Sequence, residues 1–191
     1  AATGYSTDFE SSISAALDGS CSGLQHYSAM NRSAEEGYHV NLLPRETPGD
    51  IYQVTADKGR PILEALVTRG EDHAEAAGII LAQGFGRGEV KRNVMTYFYG
   101  SGRFGMRDQH MGDLMRPLAD QLALGEIEAH PYAMMTVRKN KETGEETSAL
   151  DGGFTCAQLL ANVVYSAITT VAPKADEAAR WFQSVAATLA H

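Results

Sequence analysis

Apolar residues recur at helical spacing along most of this chain. Leu24, Tyr27 and Ala29-Met30 mark the inner side of a helix over about Ser22 to Met30, entered through a turn at Gly19-Ser20. Ahead of it, Ile13 to Asp18 is largely apolar and ends in a carboxylate, which predicts a short strand. Gly37 to Pro44 shows no period and is read as irregular. Thr47-Pro48-Gly49-Asp50 has the form of a helix start, with Thr as N-cap, proline first and an acid third. That helix is expected to run through Tyr52 and Val54 and to kink or break at Gly59 and Pro61, before Ile62, Leu63 and Leu66.

Glu71 to Gln83 predicts another helix, stopped by Gly84-Phe85-Gly86, and Arg87 to Tyr99 has helical spacing with strong helix formers in its first half. Gly100, Gly102 and Gly105 loosen the backbone. Met106 to Leu124 is read as a helix kinked at Pro117. Met134 to Val137 and Thr147 to Leu150 flank the polar run Lys139 to Glu145, which predicts an exposed hairpin with Gly144 at its turn. Phe154 to Val171 and Asp176 to Ala190 close the chain as helices. Gly152 to Pro173 carries no charge, but Gln158, Asn162, Ser166, Thr169 and Thr170 favour a buried core helix over a membrane span. The expected fold class is mainly α (α+β): helix-dominated, with one strand near the start and a hairpin at about 134–150.

Of 191 residues, 43% are hydrophobic and 21% charged, which excludes collagen, a disulfide scaffold and a wholly disordered chain. The two cysteines, Cys21 and Cys156, favour a reduced, intracellular setting and exclude a zinc site built mainly from thiolates. No targeting segment is visible. The opening Ala1-Ala2-Thr3-Gly4-Tyr5 lacks an initiator Met and is read as cut from something longer. A net charge of -8 gives no bulk footprint for nucleic acid, so any such binding must come from a local patch. His26, His39, His73, His110, His130 and His191 form no HExxH spacing, Ser20, Ser22 and Ser28 sit in no GxSxG elbow, and there is no P-loop.

Three features carry candidate chemistry. Asp18 ends the predicted strand beside Gly19, where a carboxylate and an exposed carbonyl suit a divalent metal such as Mg2+. From residue type alone, a turn or helix-cap aspartate is the favoured reading. Arg87, Lys91, Met95 and Tyr99, each four apart, form one stripe along a helix. Its two cations lie near the helix start and can grip a triphosphate, Arg as a fork and Lys as a point charge. Spacing alone favours a solvated basic face above a packed Met and Tyr. Between Phe85 and Asp108, finally, Arg87, Lys91, Arg92, Arg103 and Arg107 are interleaved with Phe85, Tyr97, Phe98, Tyr99 and Phe104, a composition suited to nucleotides or single strands. Half of those aromatics should be core, because a helix must bury one face.

The run Asp18-Gly19-Ser20-Cys21-Ser22-Gly23-Leu24-Gln25-His26-Tyr27-Ser28-Ala29-Met30 resembles motif A of the single-subunit, T7-like phage and mitochondrial RNA polymerases. Asn41-Leu42-Leu43-Pro44 and Asp50-Ile51-Tyr52 continue the likeness. Arg87, Lys91-Arg92, Val94-Met95-Thr96 and Tyr99-Gly100-Ser101, followed by Phe104-Gly105, resemble motif B. The resemblance implies that Asp18 is one of two metal-binding aspartates, with the Gly19 carbonyl as a further ligand. It implies that Arg87 and Lys91 hold the phosphates of a ribonucleoside triphosphate and that Tyr99 checks its sugar. It also implies that Gly100 lies beside the templating base, and that Tyr52 and Phe104 line the nucleotide and downstream template region. In this family two Mg2+ ions roughly 4 Å apart activate the primer hydroxyl and neutralise the leaving pyrophosphate.

The same resemblance divides the chain into a partial palm segment, about 1–30, and a fingers subdomain, 31–191. The family's second aspartate lies in a His-Asp-Ser motif that does not occur here, and thumb and promoter-reading segments are absent from this sequence. The isolated chain is therefore expected to be inactive. Expected partners are ribonucleoside triphosphates, a DNA template, an RNA product and the remaining palm and thumb of the parent, with no membrane and a bacterial cytoplasm as location. Pro131 to Asp151 departs from the family pattern and is read as an inserted hairpin. Two other readings stay open: a family A DNA polymerase fragment, against which Asp18-Gly19-Ser20-Cys21 speaks, and a non-catalytic nucleotide- or nucleic-acid-binding module.

Overall fold

A computed structural model of the protein describes residues 12–14, 18–70, 72–139, 144 and 146–190, with the backbone alone at 138 and 139. Its helices are α1 (Ser22–Met30), α2 (Ala34–His39), α3 (Ile51–Arg69), α4 (Ala74–Gln83), α5 (Arg87–Tyr97), α6 (Arg103–His110), α7 (Arg116–Ala123), α8 (Phe154–Val171) and α9 (Pro173–Leu189), with a π turn at Met111–Met115. Strands β1 (Met135–Lys139) and β2 (Glu146–Leu150) pair antiparallel, Met135 opposite Leu150 and Lys139 opposite Glu146. This mainly α arrangement with one small sheet is the expected fold class. The strand foreseen over Ile13 to Asp18 falls largely on residues 15–17, outside the described residues, and its flanks at 12–14 and 18 are not strand.

The uncharged α8 is the central helix. α3, α4, α5 and α6 all pack on it, and Cys156, Leu160, Val164 and Ile168 are buried along its length. By length and composition it could cross a membrane. Here that apolar surface is what the surrounding helices cover, as a core helix requires.

α3 departs from the sequence reading at both of its expected landmarks. The N-cap is Asp50, whose Oδ1 accepts from the amides of Tyr52 at 3.0 Å and Gln53 at 3.2 Å, so Thr47 stays outside the helix. Pro61 sits inside α3 without ending it. Pro61 and Asp57, whose carbonyl loses its usual donor, are both on the exposed side, where water can replace the missing bond. Gly59 serves packing: a Cβ there would meet the Phe85 ring at 2.9 Å and Val163 at 3.2 Å.

α2 occupies part of the stretch read as irregular. Its buried Glu36 accepts from the amides of Lys174 at 2.8 Å and Ala175 at 3.2 Å, capping α9 from another element. With that cap α9 begins at Pro173 rather than Asp176. α4 starts at Ala74, later than Glu71, because His73 adopts a left-handed conformation at its N-cap. α5 ends at Tyr97, two residues short of the expected limit.

The helix read over Met106 to Leu124 runs from Arg103 to Ala123 through the π turn, and Pro117 sits in the first turn of α7 just after it. Buried positions Met106, His110 and Met115 are spaced by four and then five, and the wider turn keeps all three inward. Behind α5, a 120 Å³ pocket between α5 and this turn is lined by Asn93 and His110 among others. Among the described residues, His110 Nε2 and Asn93 Oδ1 have no hydrogen-bond partner. Burial pushes the His110 imidazole down to about 4, against the opposing pull of Asp113.

The hairpin forms where it was expected, with β1 starting one residue later, at Met135, and the strands reaching further toward the turn, by two residues in β1 and one in β2. Gly144 has φ +74°, suited to a turn, while 140–143 and 145 lie outside the described residues.

Candidate functional site

The start of α1, the start of α3 and the length of α5 enclose a cleft of about 460 Å³. One wall is the turn Asp18-Gly19-Ser20 leading into α1, a second is Pro48 to Tyr52, and the third is the stripe Arg87, Lys91, Met95 and Tyr99. Residues 18 and 99 are far apart in sequence and meet because α1 passes close to the turn just after α5 at Gly23. A Cβ on Gly23 would come within 2.9 Å of Phe98 Cβ and 3.5 Å of the Tyr99 ring.

The whole stripe faces the cleft. Met95 is 43% and Tyr99 71% exposed, so the lower half of the stripe is not core, as spacing alone had suggested. Phe85, Tyr97 and Phe98 are the aromatics that α5 and its entry bury, while Tyr99 and Phe104 are left outside. The Tyr99 hydroxyl lies 2.9 Å from Ser22 Oγ on α1, which fixes the ring across the cleft mouth.

Arg87 and Lys91 stand over Tyr52, with Arg87 Cζ 5.1 Å and Lys91 Nζ 6.0 Å from its ring centroid. Burial, then the neighbouring Cys21 thiol, pushes the Tyr52 hydroxyl up to about 12, and burial raises the Cys21 thiol too. Both therefore stay neutral near pH 7, so the charged groups around Tyr52 are Arg87, Lys91 and the Asp50 carboxylate. Arg87 Nε donates to Asp50 Oδ2 at 2.6 Å. Partial burial lifts the Asp50 carboxyl, but the bond from Arg87, with the Gln53 and Tyr52 amides, outweighs it and holds the group below the usual carboxylate range.

Asn41 ties the first two walls together. In a left-handed conformation with φ +62°, it donates from Nδ2 to Ser20 Oγ at 2.9 Å and to the Gly49 carbonyl at 3.1 Å. Its Oδ1 accepts from the Gly49 amide at 2.6 Å.

Asp18, Gly19, Tyr52, Arg87, Lys91, Met95 and Tyr99 are thus brought to one cleft. Gly100 and Phe104 are not among its lining residues. Gly100 has φ +96° just past α5, and Phe104 is exposed on α6 beside the Arg107 guanidinium. Asn41, Asp50 and Ser22 complete the site without having been singled out for it. The signal for Asp50 lay in its position at a helix start, two residues before Tyr52. Spacing and residue type do not mark Asn41 or Ser22, though both lie within the runs that carry the family resemblance.

As metal donors the cleft offers the Asp18 carboxylate, whose Oδ1 accepts from the Gly19 amide at 2.8 Å, and the Gly19 carbonyl. Among the described residues no three of His, Cys, Asp and Glu gather closely enough to hold an ion. The donor set fits part of a hard-cation site and does not complete one.

The family model described as DNA-dependent RNA polymerase matches residues 2–191. This chain belongs to that family. It is 32% identical to the T7 RNA polymerase of Escherichia phage T7 over 207 aligned residues, covering 97% of this chain and 21% of the phage protein. The DNA-directed RNA polymerase of Enterobacteria phage T3 is similar at 32% identity, with 98% and 21% covered. The mitochondrial DNA-directed RNA polymerase of Homo sapiens is 33% identical over 158 residues, covering 82% of this chain and 12% of the human one. The chain therefore spans about a fifth of the length of its phage relatives.

Proposed function

We propose that this chain is the palm–fingers portion of a T7-like DNA-dependent RNA polymerase, with about 1–30 belonging to the palm and 31–191 to the fingers. The parent adds ribonucleotides from triphosphates to a growing RNA on a DNA template. The cleft is its nucleotide insertion site. The observation that carries this reading is the stripe of Arg87, Lys91 and Met95 on one face of α5, continued by Tyr99 in the turn just past it, set against the Asp18 turn across one cavity.

On this reading Arg87 and Lys91 bind the triphosphate, and Tyr52 provides an apolar floor beneath both cations. Tyr99, braced by Ser22, closes the sugar end. Asp18 and the Gly19 carbonyl supply part of a Mg2+ site, and the other ligands come from the parent. When bound, the ions neutralise phosphate charge and acidify the primer hydroxyl. One carboxylate does not hold two ions, so the 191 residues alone bind nucleotide without extending RNA. Gly100 and Phe104, just past the cleft, serve the template side.

Titration calorimetry of the purified chain with a ribonucleoside triphosphate tests the site. The Arg87→Ala, Lys91→Ala double variant is expected to weaken binding by about 100-fold, from the loss of two charge-assisted contacts. Unchanged affinity would sink the assignment. Template-dependent extension by the chain alone would overturn the predicted inactivity.

A further inference from the structure

Asp50 uses its two oxygens for two different elements. Oδ1 receives the Tyr52 and Gln53 amides, so the orientation of the carboxylate is set by the first turn of α3. Oδ2 receives the Arg87 Nε–H from the first residue of α5 at 2.6 Å. A guanidinium carries five N–H donors in a rigid plane. Fixing the one on Nε fixes the direction of the other four, on Nη1 and Nη2. Both residues line the cleft.

We propose that Asp50 is the positioning residue for Arg87: by gripping Nε it points the guanidinium fork into the cleft, ready to take triphosphate oxygens two at a time. This deepens the nucleotide-site reading above and rests on it. An arginine with 46% of its side chain exposed would otherwise sample many rotamers, and ordering it would cost binding free energy at each encounter. The arrangement also carries the start of α3, and Tyr52 with it, into register with α5, since one carboxylate holds both.

The proposal has a sharp sign. On Coulomb grounds alone, a carboxylate beside a polyanion's binding arginine weakens binding, and removing its charge should tighten it. On positioning grounds, removing it frees the fork and weakens binding. Asp50→Asn separates the two, because asparagine caps a helix about as well as aspartate and keeps the size of the side chain.

Triphosphate affinity is measured by calorimetry at 0.15 M salt for the intact chain, Asp50→Asn, Arg87→Lys and the double variant, with thermal melts to show that each is folded. Asp50→Asn is expected to weaken binding about fivefold, the cost of re-ordering one long side chain. Arg87→Lys is expected to cost much less in the Asp50→Asn background than in the intact chain, a coupling that general loosening of the fold does not produce. Equal or tighter binding by Asp50→Asn overturns the proposal and leaves the nucleotide site standing. Binding by the intact chain that is indifferent to Arg87→Ala removes the phosphate role of Arg87 and this proposal with it. Should Asp50→Asn fail to fold, the Arg87 Nε–H resonance of the intact chain decides. A slowly exchanging signal that persists when triphosphate is added supports the proposal, and its loss on binding overturns it.

Discussion

The Tyr97 hydroxyl at the end of α5 donates to the buried carboxylate of Asp176 in the first turn of α9, joining residues 79 positions apart. Arg180 Nε also donates to that carboxylate, at 3.0 Å. Burial and then Asp176 itself hold the Tyr97 hydroxyl far above the usual range, so it remains a donor. This bond anchors the helix that carries the cleft's basic stripe to the C-terminal helix. Tyr97→Phe is expected to destabilise the chain by about 1–3 kcal/mol in urea unfolding, the cost of removing one partner of a buried polar group. Triphosphate affinity should change far less than stability, because the stripe faces the other way.

Ser22 and Tyr99 give a prediction of the opposite kind. Their hydrogen bond is exposed, so Ser22→Ala and Tyr99→Phe should each shift stability by no more than about 0.5 kcal/mol. If Tyr99 closes the sugar end of the site, both variants should narrow the difference in affinity between ribo- and deoxyribonucleoside triphosphates. Ser22→Ala should do so without touching the ring itself. Calorimetry with matched nucleotide pairs reads the ratio, and an unchanged ratio in both variants would remove the sugar-checking role.

His110 supplies a pH prediction. Burial lowers its imidazole pKa to about 4 in the fold, from the ordinary 6.5. Below 6.5 the unfolded chain binds a proton that the folded chain does not. The His110 contribution to stability is therefore complete above about pH 6.5 and is lost as pH falls toward 4. The loss amounts to about 2–3 kcal/mol from this group. Unfolding measured across that window should show the slope in the intact chain and a shallower one in His110→Leu. Identical slopes would show that His110 is not the titrating group.

The sequence carried most of the site and less of its bracing. Four-residue spacing from Arg87 to Met95 fixes a single face of α5 whatever the rest of the fold does, and Tyr99, in the turn just past the helix, stays with them. Asp18 and Gly19 were marked by the turn chemistry before α1, whose limits were also legible, since Ser22–Met30 is bounded by Gly19-Ser20 and by the polar Asn31-Arg32. Asp50 was misplaced because Thr47-Pro48 imitates a helix start just upstream. Pro61 misled because a proline's cost depends on which side of the helix it occupies. α2 is six residues long and is held by Glu36 reaching across to α9, a tertiary cause with no local trace. The Asn41 bridge is equally long-range in origin.

Gly59 lies in the middle of α3, where Ala would ordinarily gain about 1 kcal/mol from helix propensity. Phe85 and Val163 leave no room for the added carbon, and Phe85 is itself buried by the packing of α3 and α8. Gly59→Ala should therefore destabilise by about 1–3 kcal/mol, visible as a lower melting temperature. Gly88, exposed on α5 with open space around its Cα, is the control: Gly88→Ala should raise it.

The π turn between α6 and α7 records how this helix can change length. In a chain one residue shorter between His110 and Met115, the inward positions would fall four apart, and α6 and α7 would merge into one ordinary α-helix with the same face to the core. The extra residue is absorbed locally, without turning either flanking segment. Loss of that one residue is thus invisible to the packing on both sides, so a chain shorter by one here can still present α5 to the cleft in the same way.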